Sequence, residues 1–579
     1  EGELIFRLVY QQAGCKKPVS RLWLSSMEEN AIREGFAHLK PSTEYDALYN
    51  AALCRERADW MVGINASRLF SCLYGQPLAV GRVMTPVLAM TVVREAAIAA
   101  FTPEKFYTVD LELTSGCTAS SRRIPEKSVA ENLLEACRKE MVATIQRITR
   151  KEKSESPPSL YDLTTLQRDA NRLLGYSAQQ TLDYVQSLYE KKLTTYPRTD
   201  SCYITDDDEE MLEELTEALE VFLDITPEDV DEAVPRTRRT VNREKVTDHH
   251  AILPTRSMLQ ADLDALPKGE QNVLKLIIAR TLMAVSKPFR YLETLLTTEC
   301  AGEEFTAKGK AVLQIGWKQY SGNESAEAPL PELVEGGTLP VDAASIKEGK
   351  TAPPKHYTED TLLSAMEVAG AKEMPEDAER KGLGTPATRA AILEKLVATG
   401  FVERKKSKKT VSLIPTHAGI SLITVLPEQL QSPLLTAEWE HKLKQVERGE
   451  LDADAFLGGI TAMLTELTRS YRIVPGAEVL FPSGREVIGR CPRCGSDVTE
   501  SKKGYFCERN DCHFGLWRDN RFLAAKKINL TKKMAETLLK DGKTYASGIF
   551  SEKTGKSYDA TLVMTDDGTK TLYSLDFGK

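Results

Sequence analysis

Leu193-Thr194-Thr195-Tyr196-Pro197-Arg198-Thr199-Asp200-Ser201 is the stretch on which the reading of this chain turns. It follows an amphipathic helical pattern over 178–190, announced by Ser177 with Gln180 three residues later, the pairing of a capping box. Pro197 has no backbone N–H and restrains Tyr196 to extended geometry, which suits a strand end or a tight bend. A free tyrosine hydroxyl has a pKa of about 10. It becomes a useful nucleophile only where a cation or a base lowers the cost of ionising it. Arg198, two residues on in an extended segment, projects to the same side and can stabilise a phenolate or clamp a phosphate. Locally, a plain loop with a surface cation fits the same residues.

On the N-terminal side, 3–13 reads as a helix stopped by Gly14, 21–26 as a short strand and 28–40 as a helix ending before Pro41. Helical pattern then runs from Tyr45 to Glu95, with a turn at Tyr74-Gly75-Gln76-Pro77. Alternation in FYTVDLEL and VATIQRI predicts strands around a helix over 128–140, and Ser156-Pro157-Pro158-Ser159 marks a seam before a helix at 162–174. On the C-terminal side come an acidic stretch over 206–232, helical at first, and an amphipathic helix over 265–286. Strand-like sequence fills 291–339. After Pro353-Pro354 the chain is helical again, and Thr385-Pro386 is an N-cap followed by proline at the first helical position. FVERKK, SKK and TVSLIPT then make a hairpin with a lysine-rich tip; helix, helix and basic hairpin outline a winged-helix unit.

The chain has 579 residues, 76 Lys+Arg and 84 Asp+Glu, for a net charge of −8. Taken alone, that figure argues against a polyanionic partner. Asp206 to Glu232 holds 14 acids and no base, however, so the other 552 residues carry a net +6, and nucleic acid stays open. The length predicts three or four domains. No apolar run reaches the ~18 residues of a membrane span, and no signal peptide leads the chain. Eleven cysteines are too few for a disulfide scaffold. The last four, Cys491, Cys494, Cys507 and Cys512, form a Cys-x2-Cys-x12-Cys-x4-Cys pattern that predicts a structural Zn2+ held by four thiolates. His513 is a less favoured substitute ligand. The tail from Cys491 carries 16 basic to 12 acidic residues, and Tyr505, Phe506, Phe514 and Trp517 suit either a stacking platform for single strands or the ribbon's own core.

Five long motifs carry a family resemblance. They are Pro157 to Gln167 continuing into Leu193–Ser201, Arg57-Ala-Asp-Trp-Met-Val-Gly-Ile-Asn-Ala-Ser-Arg68, Val80-Gly-Arg-Val-Met-Thr-Pro86, Asp248-His-His-Ala-Ile-Leu-Pro-Thr255 and Lys381-Gly-Leu-Gly-Thr-Pro-Ala-Thr-Arg389. Together they resemble the type IA DNA topoisomerases, topoisomerase III branch, over residues 1 to about 470. The resemblance implies an ATP-independent transesterase. Tyr196 would attack a phosphodiester in single-stranded DNA and leave a 5′-phosphotyrosyl link, a second strand would pass, and the 3′-OH would reseal the break, relaxing or decatenating DNA. Arg198 would hold the scissile phosphate. His249 is placed like a histidine the family uses near it, with His250 as the adjacent alternative.

Further residues take their roles from the same resemblance. Ala79, Val80, Gly81, Arg82, Val83 and Met84 match the family's single-strand contact, which usually reads Ser-Val-Gly-Arg-Val-Gln, so Ala79 and Met84 depart from it. Asp59 and Arg68 lie on the preceding helix as further DNA-binding candidates, or as an ordinary intrahelical ion pair. Glu1, at the opening Glu-Gly-Glu, resembles the third acid of a TOPRIM Asp-x-Asp-x-Glu cluster for Mg2+. On that reading the chain is N-terminally truncated within the TOPRIM domain, its metal site is incomplete and its activity impaired.

The expected fold is multidomain α+β: a toroidal core with winged-helix-like cleavage and base domains, a split β-rich arch and a C-terminal zinc ribbon. The expected segments are a TOPRIM remnant (1–26), base (27–104 and 346–475), arch (105–155 and 262–345), cleavage domain (156–261) and zinc ribbon with an α+β tail (488–579). The expected protein is a monomer acting on single-stranded or underwound DNA of a bacterial nucleoid or mobile element in the cytoplasm. A catalytically silent single-strand-binding portion is the alternative. A tyrosine recombinase or a relaxase ranks last, because neither an Arg-His-Arg set about a C-terminal tyrosine nor a three-histidine site is present.

Overall fold

Why one helix organises the N-terminal part is visible in its spacing. Asp46–Tyr74 buries Ala51, Cys54, Ala58, Val62, Ala66, Phe70 and Tyr74, a stripe at three- and four-residue steps, and ends on Gly75 in the left-handed conformation. The computed structural model describes residues 2–23, 29–114, 116–223, 237–246, 249–322, 329–370, 382–408, 410–481, 486–509, 511–551 and 554–577. Two compact units divide the chain, Glu1–Val474 and Pro475–Lys579. The helical pattern expected up to Glu95 breaks where the turn was read. Residues 78–81 have no regular secondary structure, 82–83 turn, and helix resumes over Met84–Ala100. The strand expected at 21–26 reduces to Ser20–Arg21, paired with Lys40–Pro41; residues 24–28 lie outside the described residues.

The β-rich part closes on itself. Six antiparallel strands form a barrel in the order Lys105–Leu113, Thr118–Ser121, Glu303–Gln314, Phe289–Cys300, Val142–Glu155 and Thr338–Lys350, the last pairing back onto the first. Val109, Leu111, Leu113, Ile145, Leu296 and Phe305 fill it, and the helix Lys127–Glu140 adds Ala130, Leu134 and Cys137. The short strand Thr118–Ser121 closes the ring, meeting the long strand Glu303–Gln314 only at Phe305 and Thr306.

Two expected boundaries move. Lys268–Val285, assigned to the second arch segment, buries Val273, Leu274, Ile277, Ile278 and Leu282 in one cluster with Leu160, Leu163, Leu166, Val185, Leu188 and Leu212. It shares one core with the helices that precede Tyr196. The arch in turn keeps its last strand to Lys350, past the expected 345. In the acidic stretch, helix Glu209–Leu219 and a 3-10 turn Glu220–Leu223 are observed, while 224–236 lie outside the described residues.

The second unit holds a four-stranded antiparallel ribbon (Val487–Arg490, Asp497–Ser501, Gly504–Cys507, Gly515–Trp517) and a three-stranded sheet (Lys543–Phe550, Ser557–Asp566, Thr571–Asp576). The helix Lys532–Asp541 buries Ala535 and Leu538 in their common core. The unit runs from Pro475, and the first strand of its ribbon starts at Val487. Residues 482–485 lie outside the described residues. Among the described residues no helix is long and apolar enough to cross a membrane.

Candidate active site and metal centre

Two capped helices deliver the Tyr196 segment. Asp162 caps Leu163–Leu174 by accepting the Thr165 N–H at 2.7 Å, and Ser177 caps Ala178–Glu190 with Gln180 completing the box, as the sequence spacing predicts. The chain reverses at Lys192, in the left-handed conformation with φ of 62°. It then pairs with 251–255: the Thr195 N–H donates to Leu253 O at 2.9 Å and the Thr255 N–H to Leu193 O at 3.1 Å. Pro197 carries no N–H, so this ladder stops at the tyrosine.

Two threonine hydroxyls bracket Tyr196 and fix it against the histidine strand. The Thr195 hydroxyl donates to Ala251 O at 3.0 Å and accepts from the Leu253 N–H at 2.9 Å. The Thr199 hydroxyl donates to His249 O at 2.8 Å. The half-buried Tyr196 ring lies with its centroid 4.3 Å from that of His249, at 46°, and 5.3 Å from Tyr189 in an edge-to-face contact. His250 turns away: its Nδ1 lies 2.9 Å from Ala251 O. Arg198 is exposed and has no ion-pair partner among the described residues. The structure therefore brings Tyr196 and His249 together and leaves the Arg198 guanidinium open to an anion. Asp248 lies outside the described residues.

Behind this segment sits a buried charge cluster. The Arg389 guanidinium, 3% exposed, donates to the Thr164 hydroxyl at 2.9 Å and to Leu383 O at 3.3 Å, and meets Glu367 at 3.4 Å. It thereby ties the helix Pro386–Ala398 to the helix Leu163–Leu174. Burial lowers the Arg389 pKa and raises those of Asp162 and Glu367. Burial, reinforced by Asp162, also raises the Cys202 thiol to about 12, which rules it out as a ready thiolate. Gly382, φ 79°, makes the approach possible, since a Cβ there would meet Met366 O at 2.2 Å. Lys381 of the same motif lies outside the described residues.

The single-strand candidate segment is strapped to the long helix by two serines one turn apart. The Ser67 hydroxyl accepts from the Val80 N–H at 2.9 Å and donates to Val80 O at 3.3 Å; Ser71 does the same for Leu78 at 2.8 and 3.2 Å. Within the segment Ala79, Gly81 and Val83 are partly exposed, while Val80, Arg82 and Met84 are buried. An added Cβ at Gly81 would meet only Met84 Cβ at 3.7 Å, so no neighbour in the fold demands a glycine there.

Arg82 is engaged within the fold. Its Nε donates to Asp59 at 2.7 Å and its Nη2 at 3.1 Å, Nη1 meets Glu440 at 3.3 Å, and the group lies 5.0 Å over the Trp439 ring. With its side chain 4% exposed, it pairs a phosphate only by abandoning two carboxylates. Asp59 and Arg68 are not an intrahelical pair either, because Asp59 is bound to Arg82. Arg68 is exposed with no ion pair among the described residues.

The cysteine cluster is the one group of three or more metal-ligating side chains among the described residues. All four Sγ atoms lie within 4.8 Å of one another, with Cys491–Cys512 at 3.6 Å and Cys494–Cys507 at 3.5 Å. Four thiolates at about 2.3 Å from a tetrahedral Zn2+ stand about 3.8 Å apart, so the set fits the ion. The Ser496 hydroxyl and N–H pull Cys494 down to about 6, whereas burial pushes Cys507 up to about 12. His513 is exposed, left-handed and outside the cluster. Tyr505 and Phe514 fill the ribbon core, and only Phe506 and Trp517, 4.7 Å apart, reach its surface. Glu1, the Mg2+ candidate, lies outside the described residues, and its neighbour Glu3 is held by Arg7 at 2.7 Å and Arg21 at 2.6 Å.

Sequence reasoning overlooked Thr195, Thr199, Ser67, Ser71 and the Asp162–Arg389 cluster. Hydroxyl pairs flanking Tyr196, and Gly63-x3-Ser67-x3-Ser71 on one helix face, were the available signals.

A family model described as DNA topoisomerase matches residues 43–458. The chain is 36% identical over 541 residues to DNA topoisomerase 3 of Bacillus subtilis and 37% over 540 to that of Bacillus licheniformis; each match covers 88% of this chain and 73% of the relative. Among solved structures, full-length topoisomerase I from Thermotoga maritima shares the fold, with a TM-score of 0.65 at 22% identity, over 90% of this chain and 84% of that one. The chain belongs to the type IA DNA topoisomerases, in the topoisomerase III branch.

Proposed function

We propose that Tyr196 carries the strand cleavage of this topoisomerase. The phenol oxygen attacks a phosphodiester of single-stranded or underwound DNA, the bond from phosphorus to the 3′ oxygen breaks, and that oxygen leaves as a 3′-OH. The downstream strand stays on Tyr196 through its 5′ phosphate. Attack by the 3′-OH reverses the step after another strand has passed, relaxing or decatenating DNA. One phosphodiester is exchanged for another, so ATP is not required. Arg198 neutralises charge growing on the phosphate oxygens, and His249 orients the phenol ring and handles its proton.

The observation that carries this reading is the Tyr196 ring, held at the end of a strand ladder against His249, with an exposed arginine two residues away that has no ion pair among the described residues. Along the base segment, the DNA strand runs over Ala79–Val83 with its backbone close to Gly81. Arg68 supplies the phosphate contact there, and Arg82, with Asp59, positions the segment. A Zn2+ on the four cysteines holds the ribbon. The protein works as a monomer in the cytoplasm. Tyr196→Phe tests the reading: covalent DNA adducts trapped by denaturant should vanish while single-strand binding persists. Adducts that survive the substitution contradict it.

A further inference from the structure

The hairpin Val402–Ser407/Thr410–Pro415 has a tip that the cleavage chemistry does not use. Residues 402–411 hold Arg404, Lys405, Lys406, Lys408 and Lys409 against Glu403 alone, a net +4 in a chain of −8. At the base of the hairpin every strong group is engaged. Arg404 donates to Glu359 at 2.8 Å and to Glu394 at 3.0 Å, Val402 and Leu413 are buried, and the Leu413 N–H reaches Tyr357 O at 2.7 Å. Beyond that anchor the pattern reverses. Lys405, Lys406 and Lys408 are exposed, and none has an ion pair among the described residues.

Cross-strand neighbours do not compensate them: Lys405 faces Ser412, Lys406 faces Val411, and Ser407 faces Thr410. On the barrel strands, by contrast, the chain does pair lysines, as Lys105 with Glu348 and Lys153 with Glu293. Successive strand residues alternate faces, so Lys405 and Lys406 place positive charge on both sides of the ribbon. Lys408 adopts φ of 30°, a conformation that glycine or asparagine takes at least cost. The turn thus carries a charge where folding alone favours a smaller residue.

We infer that this hairpin is a second DNA contact, a wing that grips the phosphate backbone of duplex DNA flanking the single-stranded segment. Residues 402–415 contain no aromatic side chain on which an unpaired base could stack. Lysines act as point charges and do not read bases bidentately, so the contact is sequence-independent. A duplex offers one phosphate charge per about 1.7 Å of axis, twice the density of either strand. Rigid, doubly basic and without stacking surface, the wing matches the duplex better than the single strand.

The experiment compares the full chain with its Lys405→Ala/Lys406→Ala/Lys408→Ala variant in binding a 30-base-pair duplex and an oligo-dT strand across a salt series. For the duplex, the slope of log affinity against log salt should become shallower by about 2.7, and affinity near 0.1 M salt should fall on the order of a hundredfold. Oligo-dT binding and Tyr196-dependent adducts on it should hold. The triple Lys→Arg variant should restore the duplex slope. An unchanged duplex slope overturns the inference. So does a loss confined to oligo-dT, which would assign the wing to the single strand, and so does failure of the arginine variant to restore binding, which would make the effect one of folding.

Discussion

Arg198 and Arg82 are both arginines in family motifs, and their surroundings separate them. Arg198 is solvent-exposed and unpaired among the described residues, so Arg198→Ala should leave stability within about 0.5 kcal/mol. Single-turnover cleavage should fall about 10²–10³-fold, the usual cost of one transition-state donor. Arg198→Lys should recover only part of that rate, lacking the bidentate fork. Arg82→Ala should behave the opposite way. It strands Glu440 and Asp59, and although Glu440 keeps Arg55 at 2.6 Å, unfolding should cost about 2–3 kcal/mol less in chemical denaturation. The sequence placed both arginines in motifs but could not tell them apart. Which one is buried depends on Asp59 and Glu440, and Glu440 lies 358 residues from Arg82.

At the scale of elements, the Tyr196 segment is held by hydroxyls and the helices before it by one half-buried carboxylate. Thr195→Val removes two hydrogen bonds and leaves the Leu253 N–H without its partner, at about 1–3 kcal/mol. With the tyrosine strand loosened from the histidine strand, adduct formation should slow while oligo-dT affinity holds, and Thr195→Ser should rescue it. Asp169 ties three elements through the Tyr161 hydroxyl at 2.8 Å and the guanidiniums of Arg172 and Arg280. Burial alone would raise its pKa, but these partners outweigh burial and hold it below the ordinary aspartate value. Its stabilisation is therefore complete above about pH 4, the unfolded value, and is lost as pH falls through the folded one. Asp169→Asn should destabilise by about 2–3 kcal/mol at pH 7, and denaturation curves of the two proteins should converge below pH 4. Local signals made these elements legible. Ser177 with Gln180, Thr385-Pro386 and the breaker at Pro157-Pro158 act within a few residues, and the helices start where they say. What Lys268–Val285 packs against was not legible, because amphipathicity shows that a face is buried and not which partner covers it.

For the whole molecule, the barrel shows where local reading stops. Its closing pair joins Lys105–Leu113 to Thr338–Lys350, more than 200 residues apart, and alternation alone gives strands without their order. The cysteine cluster was legible because its four thiols lie within 22 residues. Since Pro475–Lys579 is a separate unit with its own core, one Zn2+ per chain should appear in metal analysis. Chelation should lower only the unfolding transition of that unit, and Cys494→Ser should abolish the bound metal. The central claim, that Tyr196 takes the 5′ side of a cleaved strand, is tested most directly by trapping the adduct on an oligonucleotide labelled at its 3′ end, digesting with trypsin and locating the nucleotide. Expected is label on the peptide Leu193-Thr194-Thr195-Tyr196-Pro197-Arg198, attached at the tyrosine. Label on any other peptide, or adducts formed only with the 5′-labelled portion of the strand, would contradict the assignment.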